Sequence, residues 1–347
     1  MKKSKVILVG AINEGNVATC GETIKNQMLL EQFKQAFDKV ITVDTLGWNK
    51  RPWVLLKLLL VLIFCRNAKV VFSASRSVRH IIKFLYYVPL QKNIYFWVIG
   101  GNMANLLRDG IYDLKFFKKL NLIIAEGESM VKELTEMGLE NVIRIPNFKK
   151  IDYLPQEREY NEENVRRFVF LSRVHPDKGI PEIFSSAKVL NDNGYKDRFI
   201  IDFYGAIEPA YKDEFEQNIS LLSNVNYKGF LDLKQNEGYD ILSSYDVMLF
   251  PTYWDGEGFP GIFIDAFISS LPVIASSWSM NTDVIKDNET GWIIPPHSTK
   301  DLVEKMEQAI NDVSDIRRLS SNCRKEALEY DSRTVVSKQV LQEIGLL

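Results

Sequence analysis

The chain has 347 residues, of which 46% are apolar and 25% are charged, a composition typical of a soluble globular protein. Its length excludes a single ordinary hydrophobic core and predicts two domains of roughly 150 residues each. The net charge of −2 combines +9 in residues 1–148 with −11 in the remainder. The basic part favours an anionic partner such as phosphate, a lipid surface or nucleic acid; chance segregation of solvated charge is the alternative.

The N-terminus and the cysteines indicate a reducing, cytosolic environment. The start, MKKSKVILVG, has an apolar run that is too brief for a signal peptide. Three cysteines, Cys20, Cys65 and Cys323, lie far apart without metal-ligand spacing, so at least one is unpaired. We therefore expect a cytoplasmic location.

Short apolar runs rich in β-formers alternate with helical patterns along the chain, beginning with Val6–Val9 and the helix Glu22–Phe37. This alternation predicts an α/β protein with parallel sheets covered by helices. It occurs twice, which favours two Rossmann-like domains whose sheets face each other across a cleft. The further predicted strands are Val40–Val43, Val70–Phe72, Ile94–Ile99, Leu122–Ala125, Phe168–Leu171, Phe199–Phe203, Val247–Phe250, Val273–Ala275 and Trp292–Ile294.

One stretch in the first half imitates a membrane span. WVLLKLLLVLIFC, Trp53 to Cys65, has 13 residues with Lys57 inside it, whereas a spanning helix needs about 20 apolar residues. Two interpretations stay open. The helix is either part of the core or lies on a membrane surface, where Arg51, Lys57 and Arg66 would flank or interrupt its apolar face.

The join between the domains is predicted within QEREYNEENVRR, residues 156–167, which is charged and almost free of apolar residues. The first domain then covers 1–155 and the second covers 156–330. The last segment, 331–347, is predicted as one helix.

The first candidate site follows a predicted strand, where sheets of this type bind ligands. In FLSRVHPDKGI, Phe170 to Ile180, Arg173 and Lys178 lie in the loop and a helix begins after Gly179. Two cations beside a helix N-terminus favour an anion such as a diphosphate. A charged loop without a ligand is the alternative, and His175 is interpreted as a loop residue.

The second candidate is EGFPGIFIDAF, which follows the strand of VMLFP. Gly258 and Gly261 let the backbone approach a ligand closely. Pro260 suits a helix start, which leaves Phe259, Gly261 and Ile262 as amide donors. Asp265 then shares a face with Gly261, at the ligand side of the helix.

Glu257, at the start of this stretch, raises a further alternative, because Glu257 and Asp265 could form a hydrolytic carboxylate pair. Hydrolysis does not account for the anion site, so this alternative is disfavoured.

Glycine loops in the N-terminal domain are weaker candidates for a site in the cleft. Gly15 and Gly21 precede the first helix, and Gly101 and Asn102 follow the strand of IYFWVI. Simple turns are the alternative for both loops.

Several other functions lack their sequence signals. There is no Walker A, H-E-x-x-H or Asp-x-Asp pattern, so neither a metal nor a bound cofactor is expected. Aromatic residues are not interleaved with the basic ones, so a nucleic-acid partner is not expected either.

These residues together resemble a retaining GT-B glycosyltransferase of the family 4 type, as found in bacterial capsule and cell-surface polysaccharide synthesis. SRVHPDKG resembles the family's Gly-Arg and Lys-Gly motif, and EGFPGIFIDAFISSLPVIAS resembles its Glu-x7-Glu signature and the following turn. VIRIPNF and DVMLFPTYW resemble the flanking segments. The resemblance covers nearly the whole chain and is strongest in residues 168–296.

The resemblance implies roles for the candidate residues. Arg173 and Lys178 would hold the nucleotide diphosphate and stabilise the leaving group, Glu257 would contact the donor sugar, and Asp265 the ribose. The amides of Phe259 to Ile262 would hold phosphate or sugar hydroxyls. It further implies an acceptor-binding N-terminal domain, against which the C-terminal helix packs, and a reaction without metal.

The chain departs from the family pattern at four points, and these departures put acceptor-side catalysis in question more than donor binding. Asp265 replaces the usual Glu, Ser172 replaces the Gly before Arg173, and Cys20 stands where many relatives have Gly. The N-terminal half also lacks the acceptor-cleft His of many relatives.

The resemblance therefore implies transfer of a sugar from a nucleotide donor, UDP-linked rather than GDP-linked, to a glycan or a lipid-diphosphate-linked saccharide. A peripheral contact with the inner face of the cell membrane through the basic domain is part of this expectation. The alternatives are a non-catalytic nucleotide-sugar-binding partner of another transferase and a sugar-nucleotide epimerase of the same fold.

Overall fold

Parallel β-sheets form the centre of the protein in a computed structural model that describes residues 4–16, 20–65, 67–74, 93–160 and 165–347. The described chain divides into two compact units, one containing residues up to Lys150 together with Tyr330–Leu347, the other Ile151–Glu329. Arg66 and residues 161–164 of the predicted join lie outside the described residues.

The first unit contains a six-stranded sheet in the order β2-β1-β3-β4-β5-β6, as far as the described residues show. Every adjacent pair in this sheet is parallel. The strands are rich in Val, Ile and Phe, and the central ones are buried, as expected for a sheet covered on both faces. Their bounds are β1 Lys5–Gly10, β2 Lys39–Asp44, β3 Lys69–Ala74, β4 Ile94–Val98, β5 Leu122–Ala125 and β6 Val142–Arg144.

Within the described residues, helices connect these strands as parallel pairing requires, and the connection from β3 to β4 lies outside them. The apolar residues of α1 (Gly21–Ala36) join those of β1 and β3 in one core. The remaining helices are α2 Trp53–Phe64, α3 Met103–Arg108, α4 Leu114–Phe117 and α5 Glu128–Glu136.

The second unit repeats this plan with the sheet order β12-β11-β10-β7-β8-β9, again in parallel. The α/β class with two parallel sheets, predicted from the repeated alternation, is confirmed. The strands are β7 Arg166–Leu171, β8 Phe199–Tyr204, β9 Val225–Tyr227, β10 Val247–Phe250, β11 Val273–Ser276 and β12 Gly291–Ile294. The helices are α6 Ile180–Leu190, α7 Lys212–Leu221, α8 Asn236–Ser243, α9 Gly261–Ile268, α10 Asn281–Val284, α11 Thr299–Asn311 and α12 Val313–Ala327.

The second unit begins at Ile151, whereas the sequence predicts a domain start at 156. Contacts of the intervening segment account for this position, because the Tyr153 hydroxyl donates to Asp240 Oδ1 and Arg324 Nη1 donates to the Pro155 carbonyl oxygen at 2.7 Å. Arg158 forms an ion pair with the buried Asp246 at 3.0 Å and donates to the Ser244 carbonyl oxygen at 2.7 Å. The polar stretch predicted as the join is therefore attached to the second unit by the Arg158–Asp246 ion pair.

The C-terminal segment returns to the first unit. Val335, Leu341 and Leu346 are buried in the same core as β1 and α1, and Gln32 Nε2 of α1 donates to Ser332 Oγ at 3.1 Å. The prediction of one helix over 331–347 is wrong, because the segment forms two short helices, α13 Ser332–Val335 and α14 Lys338–Glu343. The Ser337 side chain accepts a hydrogen bond from the Val340 amide and so starts the second of them.

Candidate functional site

Two loops of the second unit meet at the point where the strand order reverses. β7 and β10 are neighbours at the centre of the sheet, but the chain continues from β7 to β8 on one side and from β10 to β11 on the other. Ligands of open α/β sheets bind outside the carboxyl ends of the strands at such a switch point. The two loops that leave these strands carry both donor-site motifs of the sequence analysis.

A buried ion pair joins the two motifs. Lys178 lies in a 3-10 turn, Pro176–Lys178, and is only 6% exposed. Its Nζ donates to Glu257 Oε2, and Thr252 Oγ1 lies 3.2 Å from the same oxygen. A buried charge is costly unless it is paired and hydrogen-bonded. The two loops therefore bring Lys178 and Glu257 together, 79 positions apart in the sequence.

The backbone of the two loops is also in close contact. The Tyr253 amide donates to the Asp177 carbonyl oxygen at 2.8 Å. Gly179 adopts a left-handed conformation, with φ +77°, and a Cβ there would lie 2.2 Å from the Pro251 carbonyl oxygen. Only glycine fits this turn without displacing Pro251. His175 begins the 3-10 turn by accepting from the Asp177 amide at 3.2 Å, in agreement with its interpretation as a loop residue.

A tryptophan beside the ion pair contacts a second cation. The Arg173 guanidinium lies 4.9 Å from the centroid of the Trp254 ring, and Lys178 Nζ lies 5.8 Å from it. Arg173 is half-exposed, and its nearest carboxylate is that of Glu208 at 4.0 Å. Cation–π contacts of this kind orient a cation without neutralising it. One accessible cation and one buried cation thus lie at the same edge of the sheet.

The N-terminus of α9 follows the Glu257 loop. Pro260 is the residue before the first helical residue, Gly261, and the Phe263 amide donates to the Pro260 carbonyl oxygen at 3.0 Å. The first N–H groups of a helix have no partner inside the helix and carry partial positive charge. The sequence-predicted amide donors, Phe259, Gly261 and Ile262, lie at this helix start together with Gly258.

Asp265 lies deeper in the protein than the sequence analysis expected. α9 is buried on all sides from Phe263 to Ile268, and Asp265 is 2% exposed. Its Oδ1 accepts a hydrogen bond from the Tyr239 hydroxyl of α8 at 2.8 Å. Burial and the Asp265 carboxylate raise the pKa of Tyr239 above its usual range, so this hydroxyl stays protonated and keeps donating.

Residues 152–326, half of the chain, match the sequence profile of the family described as "Glycosyl transferases group 1". The match contains both loops of the switch point. The chain belongs to this family.

Two curated relatives of this chain are bacterial proteins whose names describe sugar transfer. The "Capsular polysaccharide biosynthesis glycosyltransferase CapM" of Staphylococcus aureus is 26% identical over 63% of this chain and 57% of its own length. The "N,N'-diacetylbacillosaminyl-diphospho-undecaprenol alpha-1,3-N-acetylgalactosaminyltransferase" of Campylobacter jejuni is 25% identical over 70% of this chain and 66% of its own length. The chain thus spans between half and two thirds of these relatives.

A solved structure shares the fold of this chain over almost its whole length. Anabaena HepE, crystallised in complex with UDP, aligns with a TM-score of 0.70 at 14% identity, over 99% of this chain and 100% of its own. The similarity agrees with the GT-B class expected from the sequence.

The predicted acceptor-side residues belong to the other unit. Gly15 lies in the exposed turn after β1 with φ +81°, and Gly21 is the first residue of α1. Gly101 follows β4, and Asn102 precedes α3 without capping it through its side chain. The acceptor-side role of these four residues therefore stays a prediction, and the Lys178–Glu257 pair does not bear on it.

A second buried ion pair, which the sequence analysis missed, lies at the carboxyl end of the first sheet. Lys25 Nζ of α1 donates to Glu126 Oε1, directly after β5, and both side chains are almost completely buried. The ammonium group lies 5.3 Å from the centroid of the Phe148 ring, and burial lowers the pKa of Lys25. The pair fixes the first turns of α1 against β5. Lys25 and Glu126 are 101 positions apart and belong to no sequence motif, so the sequence does not predict their pairing.

No group of three His, Cys, Asp or Glu side chains that could hold a metal ion occurs within the described part of the chain. The expectation of a metal-independent reaction stays a prediction. Its physical basis is the pair of cations and the helix N-terminus at the switch point, which can balance anionic charge.

Proposed function

We propose that the protein is a retaining glycosyltransferase that moves a sugar from a UDP-sugar to a glycan or a lipid-diphosphate-linked saccharide during bacterial surface-polysaccharide synthesis. The observation that carries this proposal is the Lys178–Glu257 pair at the switch point, with Arg173 beside it. It combines positive charge for a diphosphate with a carboxylate for a sugar in one place.

Arg173 and Lys178 balance the charge of the donor diphosphate in this proposal. The N–H groups at the start of α9 add partial positive charge, which favours a phosphate at a helix N-terminus. Charge grows on the β-phosphate as the bond to the sugar breaks, so fixed cations stabilise the transition state more than the ground state. Arg173, being half-exposed, is accessible to the ligand.

Glu257 acts on the sugar, and Asp265 acts on the ribose. Glu257 accepts from Lys178 and lies next to Thr252 Oγ1, so its orientation is fixed before the donor binds. A carboxylate held in this way accepts hydrogen bonds from sugar hydroxyls and stabilises positive charge that develops at the anomeric carbon.

The reaction follows a front-face course. The bond between the anomeric carbon and the β-phosphate oxygen breaks, and a bond from the acceptor hydroxyl oxygen forms on the same face. The acceptor proton passes to the departing phosphate oxygen, so the products are the glycoside and UDP. Retention of configuration follows because entry and departure share a face.

The comparisons with known proteins favour a UDP-linked donor and a lipid-diphosphate-linked acceptor. HepE is crystallised with UDP, and the name of the Campylobacter relative contains a diphospho-undecaprenol saccharide. The test is release of UDP from a UDP-sugar in the presence of such an acceptor. Acceptor-dependent release supports the proposal, and its absence over a broad donor and acceptor panel contradicts it.

The apolar helix α2 is proposed as the membrane contact of this enzyme. One face packs inward through the buried Val54, Leu58 and Leu62. The opposite face exposes a stripe of large apolar side chains near Lys50 and Lys57. The members of this stripe and their exposed fractions are Trp53 61%, Leu56 57%, Leu60 45% and Phe64 81%.

The helix thus has one face in the core and one exposed apolar face. No described helix is long and apolar enough to cross a membrane. An apolar stripe next to lysines matches the interface of an anionic bilayer, where apolar side chains enter the acyl boundary and cations contact headgroups. We place this contact at the inner face of the cell membrane, where a lipid-linked acceptor would be reached.

Replacement of Leu60 and Phe64 together by Glu should weaken binding to vesicles of phosphatidylglycerol by at least about tenfold, because two apolar contacts are lost and anionic charge is added. Co-sedimentation measures the bound fraction. The matched control is Leu221→Glu, at an exposed leucine of the second unit, which should bind like the wild type. Failure of the wild type to bind anionic vesicles would leave α2 as a core helix.

A further inference from the structure

The hydrogen bond between Tyr239 and Asp265 joins α8 to α9, the helix whose N-terminus follows the Glu257 loop. Tyr239 lies in the first turns of α8, and Asp265 lies in the second turn of α9. The hydroxyl oxygen and Asp265 Oδ1 are 2.8 Å apart. The family resemblance implies a ribose contact for Asp265, whereas Tyr239 belongs to none of the sequence motifs.

A close approach of the chain determines the position of Tyr239. A Cβ at Gly238 would lie 2.0 Å from the Asp232 carbonyl oxygen, so the first turn of α8 rests directly on the preceding loop. The Gly238 amide donates to the Gln235 carbonyl oxygen at 3.1 Å. Any larger residue at 238 would move α8 and separate the tyrosine hydroxyl from the carboxylate.

The length of the Asp265 side chain makes this contact possible. The family signature has Glu at this position, and Asp is shorter by one methylene group. A hydroxyl 2.8 Å from Asp265 Oδ1 therefore lies in space that a longer carboxylate would claim. Tyr239 therefore places a hydroxyl oxygen, from a second helix, beside the end of the shorter aspartate side chain.

We propose that Tyr239 and Asp265 act as one ribose-binding unit, in which Asp265 accepts from Tyr239 and the tyrosine oxygen accepts a hydrogen bond from a ribose hydroxyl. This inference rests on the proposed function, which places the ribose at Asp265. A tyrosine hydroxyl has one donor and also acceptor lone pairs. Because the donor is directed to Asp265, the acceptor side is oriented for the ligand.

The unit predicts which part of the nucleotide each residue recognises. Tyr239 and Asp265 should contribute only to the two ribose hydroxyls, and not to the diphosphate. Two such hydrogen bonds together correspond to roughly a thirtyfold preference for UDP over 2′,3′-dideoxyuridine diphosphate. Calorimetric titration of the intact chain with these two nucleotides measures the preference as a ratio of Kd values.

Tyr239→Phe should reduce this ratio to about fivefold or less, because one acceptor is lost and Asp265 loses its orienting donor. Asp265→Glu alone should also reduce it, since the longer side chain competes with the tyrosine hydroxyl for space. The double variant Tyr239→Phe with Asp265→Glu should restore the ratio to near its wild-type value. A purely structural tyrosine would not give this rescue.

A matched control removes a different tyrosine hydroxyl. Tyr95 donates to the Gly345 carbonyl oxygen at 2.5 Å in the other unit, so Tyr95→Phe should leave the ratio unchanged. A wild-type ratio in Tyr239→Phe, or a double variant no better than Tyr239→Phe, overturns the inference while UDP binding upholds the proposed function. Absence of UDP binding in the wild type contradicts both.

Discussion

Glu257→Gln should lower kcat by about 100- to 1,000-fold and change the affinity for UDP by less than about threefold. The reason is that glutamine keeps the shape of the side chain and an acceptor for Lys178 but removes the negative charge that stabilises the anomeric centre. UDP contains no sugar beyond its ribose, so it does not reach the Glu257 carboxylate, and the amide oxygen of glutamine still accepts from Lys178 and keeps that cation in place for the diphosphate. Steady-state kinetics and calorimetric titration with UDP separate the two effects.

The control for Glu257 lies two residues earlier in the same loop. Asp255 is exposed, and Asp255→Asn removes the same charge without touching Lys178. It should keep kcat within about twofold of the wild type, as surface substitutions usually do. Wild-type turnover in Glu257→Gln would remove this residue from the reaction.

Arg173→Ala should weaken UDP binding by about tenfold to a hundredfold, because it removes hydrogen bonds between a guanidinium and a phosphate. The affinity for uridine, which has no diphosphate, should stay unchanged. Arg173 is half-exposed, with its nearest carboxylate 4.0 Å away, so the variant should fold. Titration with UDP and uridine measures both affinities.

Arg317→Ala provides the comparison for this second substitution, since Arg317 is exposed on α12 in the same unit. It should bind UDP like the wild type. Equal weakening of UDP and uridine binding in Arg173→Ala would show that the arginine does not act on the diphosphate. Lys178→Ala is a less direct test, because it leaves the buried Glu257 without its cation and so destabilises the protein.

The strands of the fold could be predicted because their signal is local. Leu122–Ala125 and Val247–Phe250 coincide with β5 and β10, since buried parallel strands are continuous apolar runs. β6 and β9 were missed because each has three residues and lies at the edge of its sheet. Such short runs become strands only through pairing with a neighbour.

Helix boundaries were predictable where the chain carries a local start signal. The predicted helix Ile180–Leu190 coincides with α6, since Gly179 precedes it and Pro181 lies in its first turn. The C-terminal segment, predicted as one helix, instead forms two. The break at Ser337 depends on one side-chain hydrogen bond, which the apolar pattern does not show.

The loops of the candidate site could be predicted because they follow strands, but the contacts between them could not. Lys178 and Glu257 belong to two separate sequence motifs. Their ion pair forms because β7 and β10 are neighbours in the sheet. Thr252 and Trp254 precede Glu257 in the loop after β10, so their position alone marks them as candidate site residues. Tyr239 had no local signal, because its role depends on the packing of α8 against α9.

The central claim is that this chain transfers a sugar from UDP to an acceptor, and its most direct test is UDP release by the purified protein. The assay combines a panel of UDP-sugars with lipid-diphosphate-linked saccharides, and NMR of the product reports the anomeric configuration. The account predicts release that requires both donor and acceptor, with retention of configuration. UDP binding without any release would indicate a non-catalytic partner, acceptor-independent interconversion of donors would indicate an epimerase, and either result would contradict the account.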